Sequence, residues 1–468
     1  MPEHQDRAVG ASSDRTSDAD LRAVADPAES RDLPRRIHTL GAAAIMIGII
    51  VGSGIFQTPT EVAKHLGNPW LILLAWTLGG VVSFFGALTY AELAGMFPRS
   101  GGIYVFLYEG LGPAVAFVFG WTYLLVAKPA AAAGIATVFA SHVNRLLGTE
   151  FDERLIVCVV LTLLTLINTF RVTLGEGVAM LLTAGKIGAL VGIIVLGGLM
   201  RDRAEGRFEP APAPTSLLLA LAPVFAGVMW TYDGWSDVGS IAGEVKNPQR
   251  ALPRVFLLGT AGVTLLYLGV NAVYLWMIPL EQMRAVPTVA PLVMERLLGP
   301  TAERVVTALV VVSTLGASHG SILTGARVTF GQARDGLLFR PLGRIHPRFQ
   351  TPAVSLWVQL VLSCVAVMWF RGFGELTSGF VFTMWVFYAL AAVGLIVLRK
   401  RRPDLPRPFR CWGYPLVPIT FVVVAIGMIA LEISGNPRRS LTWLVVLLAG
   451  APMYLIWKRL QRRDVGRA

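Results

Sequence analysis

The stretch IIVGSGIFQTP, residues 49–59, lies inside an apolar run that is long enough to form a membrane helix. Gly52, Ser53 and Gly54 interrupt this run near its middle. Glycine weakens a helix and exposes its backbone. In hydrocarbon, an unpaired backbone amide is costly, so such a break survives only where another group satisfies it. The sequence therefore predicts a broken membrane helix with something bound or packed at the break.

The composition is that of a membrane protein. Of the 468 residues, 54% are hydrophobic and only 15% are charged, whereas a soluble domain carries about 25% charged residues. Apolar segments of roughly 18–30 residues follow one another, and each is long enough to cross a bilayer. We number twelve of them, spans 1 to 12: 40–65, 69–95, 112–143, 154–171, 175–199, 216–244, 254–277, 303–331, 353–370, 375–398, 413–432 and 441–457. They predict an all-α polytopic membrane protein.

The spans leave room for one membrane domain, residues 38–457, between two tails. Residues 1–37 are polar and contain no apolar signal segment, so we expect a disordered N-terminal tail. Residues 458–468 form a short basic C-terminal tail. The three cysteines are not placed to form an extracellular disulfide.

The formal net charge of +12 could suggest a nucleic-acid partner, but its distribution indicates membrane orientation. If the N-terminus is cytoplasmic, the basic runs 399–410 and 458–467 both fall on the cytoplasmic side. This excess of Lys and Arg follows the positive-inside rule. We therefore expect both termini in the cytoplasm, the lipid bilayer as surroundings, and no nucleic acid bound.

A second interruption lies in span 6, where Tyr232-Asp233-Gly234-Trp235 brings an acid and a glycine into an apolar run. Breaks in spans 1 and 6 occupy corresponding positions of two five-helix halves, which is typical of inverted-repeat transporters with a site at the midplane. The repeats would be about 38–200 and 215–398, with two extra helices in 413–457. We expect Asp233 to be the only acid in the broken segments, either pairing with a substrate cation or hydrogen-bonding within the break.

Two other interpretations of the glycines are weaker. Small residues let helices pack closely, but this does not account for two breaks in register, one of which contains an acid. A dinucleotide-binding loop would need a preceding strand and a soluble βαβ unit, and neither is predicted.

The break has a chemistry that suits a zwitterion. A half-helix that begins near Gly54 presents free amides and the positive end of a dipole, which bind carboxylates. The half-helices that end at the breaks offer free carbonyls, which suit an ammonium group. Together they fit the backbone of a free amino acid.

Five blocks carry a resemblance to a known family: GSGIF (52–56), YAELAGMFPRSGGIYVFLYEGLG (90–112), YDGW…GEVKNPQRALPR (232–254), GSILTGARVTFGQARDGLL (320–338) and RRPDLPRPFRCWGYP (401–415). In this order, the chain resembles the amino acid–polyamine–organocation (APC) superfamily. Within it, the chain is similar to bacterial relatives of the L-type amino acid transporters, over about residues 38–457. The resemblance implies two inverted five-helix repeats plus two helices, working by alternating access.

The resemblance also implies a substrate site. The carboxylate would meet the amides of Ser53 and Gly54, and the ammonium would meet the carbonyls of Ile50, Trp230 and Asp233. Trp230 would cap the substrate as a gate. The full set of substrate-binding residues is Ile50, Ser53, Gly54, Ile55, Trp230, Asp233 and Gly234.

Two further residues, Lys186 and His319, bear on coupling, and a third, Lys128, is a charge without an assigned role. Lys186, near the centre of span 5, matches a family lysine that occupies the place of a sodium ion and bridges span 5 to spans 1 and 8, which implies sodium-independent transport. Burial favours its neutral amine and a nearby carbonyl cage favours its ammonium, so Lys186 either ties substrate binding to protonation or braces the fold. His319 stands where L-type relatives have asparagine, and it has either a proton-linked role or that of a neutral hydrogen-bonded residue. Lys128, next to Pro129 in span 3, needs a partner or a route to water.

The predicted function is secondary active transport of neutral L-amino acids across the plasma membrane, as an exchanger or an importer. Alternatives are a proton-coupled carrier of cationic amino acids or polyamines, and a non-transporting amino acid sensor. No metal-ligand cluster, nucleophile–base pair or nucleotide loop appears in the sequence, so neither an enzyme nor a cofactor or metal is expected. The loop at 146–153 lacks the cysteine that binds a heavy chain in animal members, so no disulfide-linked heavy chain is expected.

Overall fold

The structure is a computed structural model that describes residues 33–170, 172–213, 216–370, 373–435 and 437–465. Within them, regular structure is helical except for one β-bridge between Ile37 and Val245. The helices of the first half are Thr39–Ile50 and Gly54–His65 (span 1), Pro69–Met96 (span 2), Ile103–Leu111, Pro113–Leu147 (span 3), Glu153–Phe170 (span 4) and Val172–Leu199 (span 5).

The second half repeats this arrangement. Its helices are Leu217–Tyr232 with the 3-10 helix Trp235–Glu244 (span 6), Pro248–Met277 (span 7), Leu280–Ala285, Val289–Leu298, Pro300–Arg334 (span 8), Ala353–Trp369 (span 9), Phe373–Arg401 (span 10), Leu416–Gly435 (span 11) and Pro437–Val465 (span 12).

Ten helices in the described ranges are long and apolar enough to cross a membrane. Span 9 is an apolar helix of 17 residues, and span 6 is divided because its α-helix ends at Tyr232. The all-α polytopic membrane fold is confirmed, whereas the count of twelve crossings stays a prediction. Span 12 remains helical to Val465, beyond its predicted end at 457, because a helix keeps its own hydrogen bonds when it leaves the bilayer.

The predicted N-terminal tail ends earlier than expected. Residues 1–32 lie outside the described residues, but Leu33 and Ile37 are buried at 2% and 0% exposure. The Ile37 amide donates to the Glu244 carbonyl at 2.9 Å, and the Lys246 amide donates to the Ile37 carbonyl at 2.8 Å. The predicted disorder is therefore wrong for residues 33–37, because this segment pairs with the end of span 6.

Both predicted breaks are present and they touch each other. Span 1 loses its helix at Val51 and resumes it at Gly54. In span 6, Gly234 adopts a φ of +111°, and a Cβ there would lie 2.6 Å from the Ile49 Cγ2 atom and 3.1 Å from the Ile50 amide nitrogen. Glycine is therefore required at Gly234 both for its left-handed backbone and for the approach of span 6 to span 1.

Span 3 contains a third irregularity, a π-helical turn over Tyr123–Ala127. It directly precedes Lys128 and Pro129. Proline cannot donate a helical hydrogen bond and its ring collides with the carbonyl four residues before it. The wider turn accommodates the proline and brings Lys128 toward the interior, where it is only 3% exposed.

Candidate functional site

The two breaks border a cavity of about 30 Å³, space for about two water molecules. Side chains and backbone from spans 1, 3, 6, 8 and 10 line it: Ile49, Ile50, Gly52, Ser53, Gly54, Lys128, Ala131, Ile135, Trp230, Asp233, Asp237, Ser321 and Phe380. A free amino acid is larger than this space, so the walls must separate to admit one.

Five of the seven predicted substrate residues line the cavity, namely Ile50, Ser53, Gly54, Trp230 and Asp233. The other two do not. Ile55 is fully buried within the half-helix Gly54–His65, and Gly234 packs against span 1 as described above. Their contribution is to shape the breaks.

One pole of the cavity offers unused hydrogen-bond donors. The half-helix Gly54–His65 begins here, and the amides of Ser53, Gly54 and Ile55 donate to no group in the described part of the chain. The Ser53 hydroxyl has no partner among the described residues either, although Ser53 is only 1% exposed. A buried, unsatisfied polar group costs about 1–3 kcal/mol. A helix N-terminus attracts anions, so this pole suits a carboxylate.

The break in span 6, a second pole of the cavity, offers acceptors. The carbonyl of Asp233 accepts no hydrogen bond from the residues that the structure describes, and its carboxylate Oδ1 accepts one from the Tyr388 hydroxyl at 2.5 Å. The Ile50 carbonyl is already occupied by the Gly52 amide at 2.8 Å and the Tyr267 hydroxyl at 2.7 Å. An ammonium group at Ile50 would therefore have to displace one of these two donors, whereas the Asp233 carbonyl is open.

A lysine–aspartate pair lies in the same cavity. Lys128 Nζ is 2.9 Å from Asp237 Oδ1 and 2.8 Å from Oδ2, with side-chain exposures of 4% and 12%. The expectation that Asp233 is the only acid in the broken segments is wrong, because Asp237 also lies in span 6, one turn of 3-10 helix further on. A lysine in the middle of span 3 needs a partner or a route to water, and an acid in the other broken span, Asp237, was a candidate partner.

Trp230 and Phe380 form an aromatic wall. Their ring centroids lie 5.3 Å apart with an interplanar angle of 88°, an edge-to-face contact. Both residues line the cavity. Opening this side would require the two rings to separate, and the gating role of Trp230 stays a prediction.

Lys186 lies outside the cavity and holds the broken end of span 1. Its Nζ donates to the carbonyls of Gly48 at 2.6 Å and Val51 at 2.9 Å, and Lys186 is 2% exposed. The Ser313 hydroxyl of span 8 donates to the same Val51 carbonyl at 3.0 Å. A cation is well placed there, because the C-terminus of the helix Thr39–Ile50 is the negative end of its dipole. This geometry is a bridge between spans 5, 1 and 8.

His319 also lies away from the cavity, fully buried between spans 8 and 4. Its Nδ1 is 3.1 Å from the Asn168 Nδ2 atom, which also donates to the Leu164 carbonyl at 2.9 Å. The imidazole is thus hydrogen-bonded in a fully buried space between the two spans. This favours the interpretation of His319 as a neutral hydrogen-bonded residue.

Ion pairs close the end of the molecule that is predicted to be cytoplasmic. Arg327 binds both oxygens of Glu244, at 2.7 and 3.2 Å, with side chains 1% and 0% exposed. Glu92 accepts from Arg399 at 2.9 and 2.5 Å and from the Cys411 amide at 2.7 Å. Burial raises the pKa of the Cys411 thiol to about 11, so the thiol is uncharged at neutral pH. Glu92 and Glu244 are thus buried partners of arginines.

No group of three or more His, Cys, Asp or Glu side chains that could hold a metal ion occurs in the described ranges.

Comparison with known proteins places the chain in a family. The amino acid permease family model matches residues 37–455. The cystine/glutamate transporter of Homo sapiens is 32% identical over 446 residues, which cover 93% of this chain and 88% of that transporter. The b(0,+)-type amino acid transporter 1 of Mus musculus is 30% identical, with 92% and 89% covered. The large neutral amino acids transporter small subunit 2 of Rattus norvegicus is 31% identical, with 91% and 81% covered.

These matches confirm the resemblance to the L-type relatives and the expectation of a transporter rather than an enzyme. They extend over the spans that build the cavity and over both breaks. The chain belongs to the amino acid permease family.

Proposed function

We propose that this protein is a secondary active carrier that moves amino acids across the plasma membrane by alternating access. The observation that carries the proposal is the separation of hydrogen-bond donors and acceptors between the two breaks that border the cavity. Free amides and an unsatisfied, buried Ser53 hydroxyl lie at one break, and the open Asp233 carbonyl lies at the other. A substrate that carries a carboxylate and an ammonium on one carbon would satisfy both poles at once.

The bound amino acid would lie between the breaks. Its carboxylate accepts from the amides of Ser53 and Gly54 and from the Ser53 hydroxyl. Its ammonium donates to the Asp233 carbonyl and is balanced by the Asp233 carboxylate. The remaining wall, from spans 3, 8 and 10 and from Asp237 of span 6, then faces the side chain.

Three finer features belong to the same proposal. Transport is independent of sodium, because the Lys186 amino group already fills the position between span 1 and spans 5 and 8. Both termini are cytoplasmic because of the distribution of Lys and Arg. The carrier works without a disulfide-linked heavy chain, since residues 146–153 contain no cysteine.

Uptake of radiolabelled L-amino acids into proteoliposomes tests the proposal. We expect saturable uptake of neutral amino acids that continues when external sodium is replaced by choline. Uptake that needs amino acid inside the vesicles indicates an exchanger, and uptake without it indicates an importer. Binding without any flux across a full panel would contradict the proposal and favour a sensor.

A carrier of cationic amino acids or polyamines is the second candidate. Two acids, Asp233 and Asp237, and one cation, Lys128, line the cavity. This excess of negative charge would favour a cationic substrate if the α-ammonium did not use Asp233. Stronger competition by lysine, arginine or putrescine than by neutral amino acids would support this candidate.

A further inference from the structure

We infer that Lys128, Asp237 and Ser321 form a side-chain subsite that selects amino acids with a small, uncharged hydrogen-bonding side chain, a hydroxyl or a carboxamide. The inference rests on the proposed function, since it assigns the substrate class of that same cavity.

The three residues come from three different spans and converge on the cavity. Lys128 shares one face of span 3 with Ala131 and Ile135, at the i, i+3 and i+7 positions of a helix, and all three line the cavity. Asp237 enters from span 6 and Ser321 from span 8.

Hydrogen-bonding capacity is left over at each of these groups. An ammonium has three N–H donors, and two of those on Lys128 go to Asp237. The carboxylate of Asp237 has about four acceptor positions, of which Lys128 takes two. The Ser321 hydroxyl is 1% exposed and has no partner among the described residues. Donors and acceptors are therefore both available to a ligand, side by side.

The charges in this subsite are balanced. A cationic side chain would meet Lys128, and an anionic one would meet Asp237, so each would be repelled by one member of the pair. An aliphatic side chain would remove water from the ion pair and replace none of its hydrogen bonds. A hydroxyl or carboxamide can donate to Asp237 or Ser321 and accept from Lys128, so it alone satisfies the subsite.

Isosteric competitors test the inference without changing the protein. Threonine and valine differ by a hydroxyl in place of a methyl group, and asparagine, aspartate and leucine have branched ends of similar shape. In proteoliposomes that take up radiolabelled L-threonine, we expect threonine to compete about ten-fold or more better than valine, and asparagine better than both leucine and aspartate, because sites built for hydrogen bonds reject analogues that lack them.

Charge variants then identify the residues responsible. Lys128→Met leaves the acid unopposed and should shift the preference toward lysine and arginine. Asp237→Asn leaves the cation unopposed and should shift it toward aspartate and glutamate. The double variant Lys128→Met/Asp237→Leu removes both charges and should favour leucine and valine. It also tests the inference if a single variant, with one charge left unpaired, does not fold.

Ser321→Ala has a matched control in Ser318→Ala, one helical turn away. Ser318 is equally buried and its hydroxyl also has no partner among the described residues, but it does not line the cavity. We expect Ser321→Ala to reduce the advantage of threonine over valine by about ten-fold and Ser318→Ala to leave it unchanged.

The outcomes separate the two proposals. No uptake of any amino acid by the well-folded wild-type protein would refute the proposed function. Uptake in which valine equals threonine, or leucine exceeds asparagine, would leave the carrier function intact and overturn this subsite. A preference that is unchanged in the double variant would also overturn it, since the pair would then not determine specificity.

Discussion

Two buried ion pairs of this protein have similar chemistry and different surroundings. Arg327 and Glu244, near one end of the molecule, are 1% and 0% exposed, and the Arg327 Nη1 atom also donates to the Leu323 carbonyl at 3.0 Å. Lys128 and Asp237 border the cavity and keep unused donors and acceptors. A fully buried pair that borders no cavity is suited to holding helices together, whereas a pair that lines the cavity and has spare hydrogen bonds is suited to receiving a ligand.

The largest effect is expected at the break itself. A Cβ on Gly54 would lie 2.6 Å from the Thr231 Oγ1 atom and 2.8 Å from the Thr231 Cα atom, so Gly54→Leu should abolish transport by forcing span 6 away and covering the free amides. Gly262→Leu is the matched control, because a Cβ there meets nothing within 4 Å. Wild-type uptake by a well-expressed Gly54→Leu protein would show that the cavity is not the substrate site.

The next effect concerns the cation that holds span 1. Lys186→Ala removes the donors to the Gly48 and Val51 carbonyls, and an unsatisfied buried carbonyl costs about 1–3 kcal/mol, so transport should fall by about ten-fold or more. Thr183→Ala, which removes one hydrogen bond to the Ala44 carbonyl a turn earlier, should have a much smaller effect. A steep loss of wild-type uptake in choline would contradict the assignment of Lys186 to the place of sodium.

A direct comparison of the two ion pairs uses thermal stability. Glu244→Ala leaves Arg327 buried and unpaired and should cost about 3–5 kcal/mol, whereas Asp237→Ala should cost about 1–2 kcal/mol because Lys128 can reach water in the cavity. Thermal unfolding of the purified proteins in detergent gives the two Tm values. The double variant Arg327→Met/Glu244→Leu should recover most of the loss. Equal Tm values for the two single variants would remove the distinction between a structural and a binding pair.

A smaller change is expected at the aromatic wall. Trp230→Ala removes the edge-to-face contact with Phe380 and opens one side of the cavity, so the KM should rise by about ten-fold while the protein still folds. Phe380→Ala should act in the same direction. Unchanged kinetics for every transported amino acid would mean that Trp230 is a packing residue.

The smallest effect is expected at His319. Because its imidazole is fully buried and hydrogen-bonded to Asn168, His319→Asn should preserve activity and leave the dependence of uptake between about pH 5 and pH 8 unchanged. A pH profile that flattens in this variant would instead assign proton coupling to His319.

The sequence by itself was enough for the local features. Long apolar runs predicted the membrane helices, and Gly54 and Gly234 predicted where two of them break, because helix formation and its interruption depend on neighbouring residues. The family resemblance, carried over position by position, identified five residues that line the cavity. The sequence also indicated that Lys128 needs a partner, since an intramembrane charge is costly wherever it lies.

Only the tertiary structure decided which distant residues meet. Asp237 pairs with Lys128 across 109 residues, and the Tyr388 hydroxyl reaches Asp233 across 155. Residues 33–37 are ordered because they meet the end of span 6. These contacts depend on how the helices pack. An apolar pattern in the sequence predicts which residues form helices, but it does not predict which face of one helix contacts another. The positions of the breaks could therefore be predicted from the sequence. Which hydrogen-bonding and charged groups lie between them depends on the packing of spans 3, 6, 8 and 10.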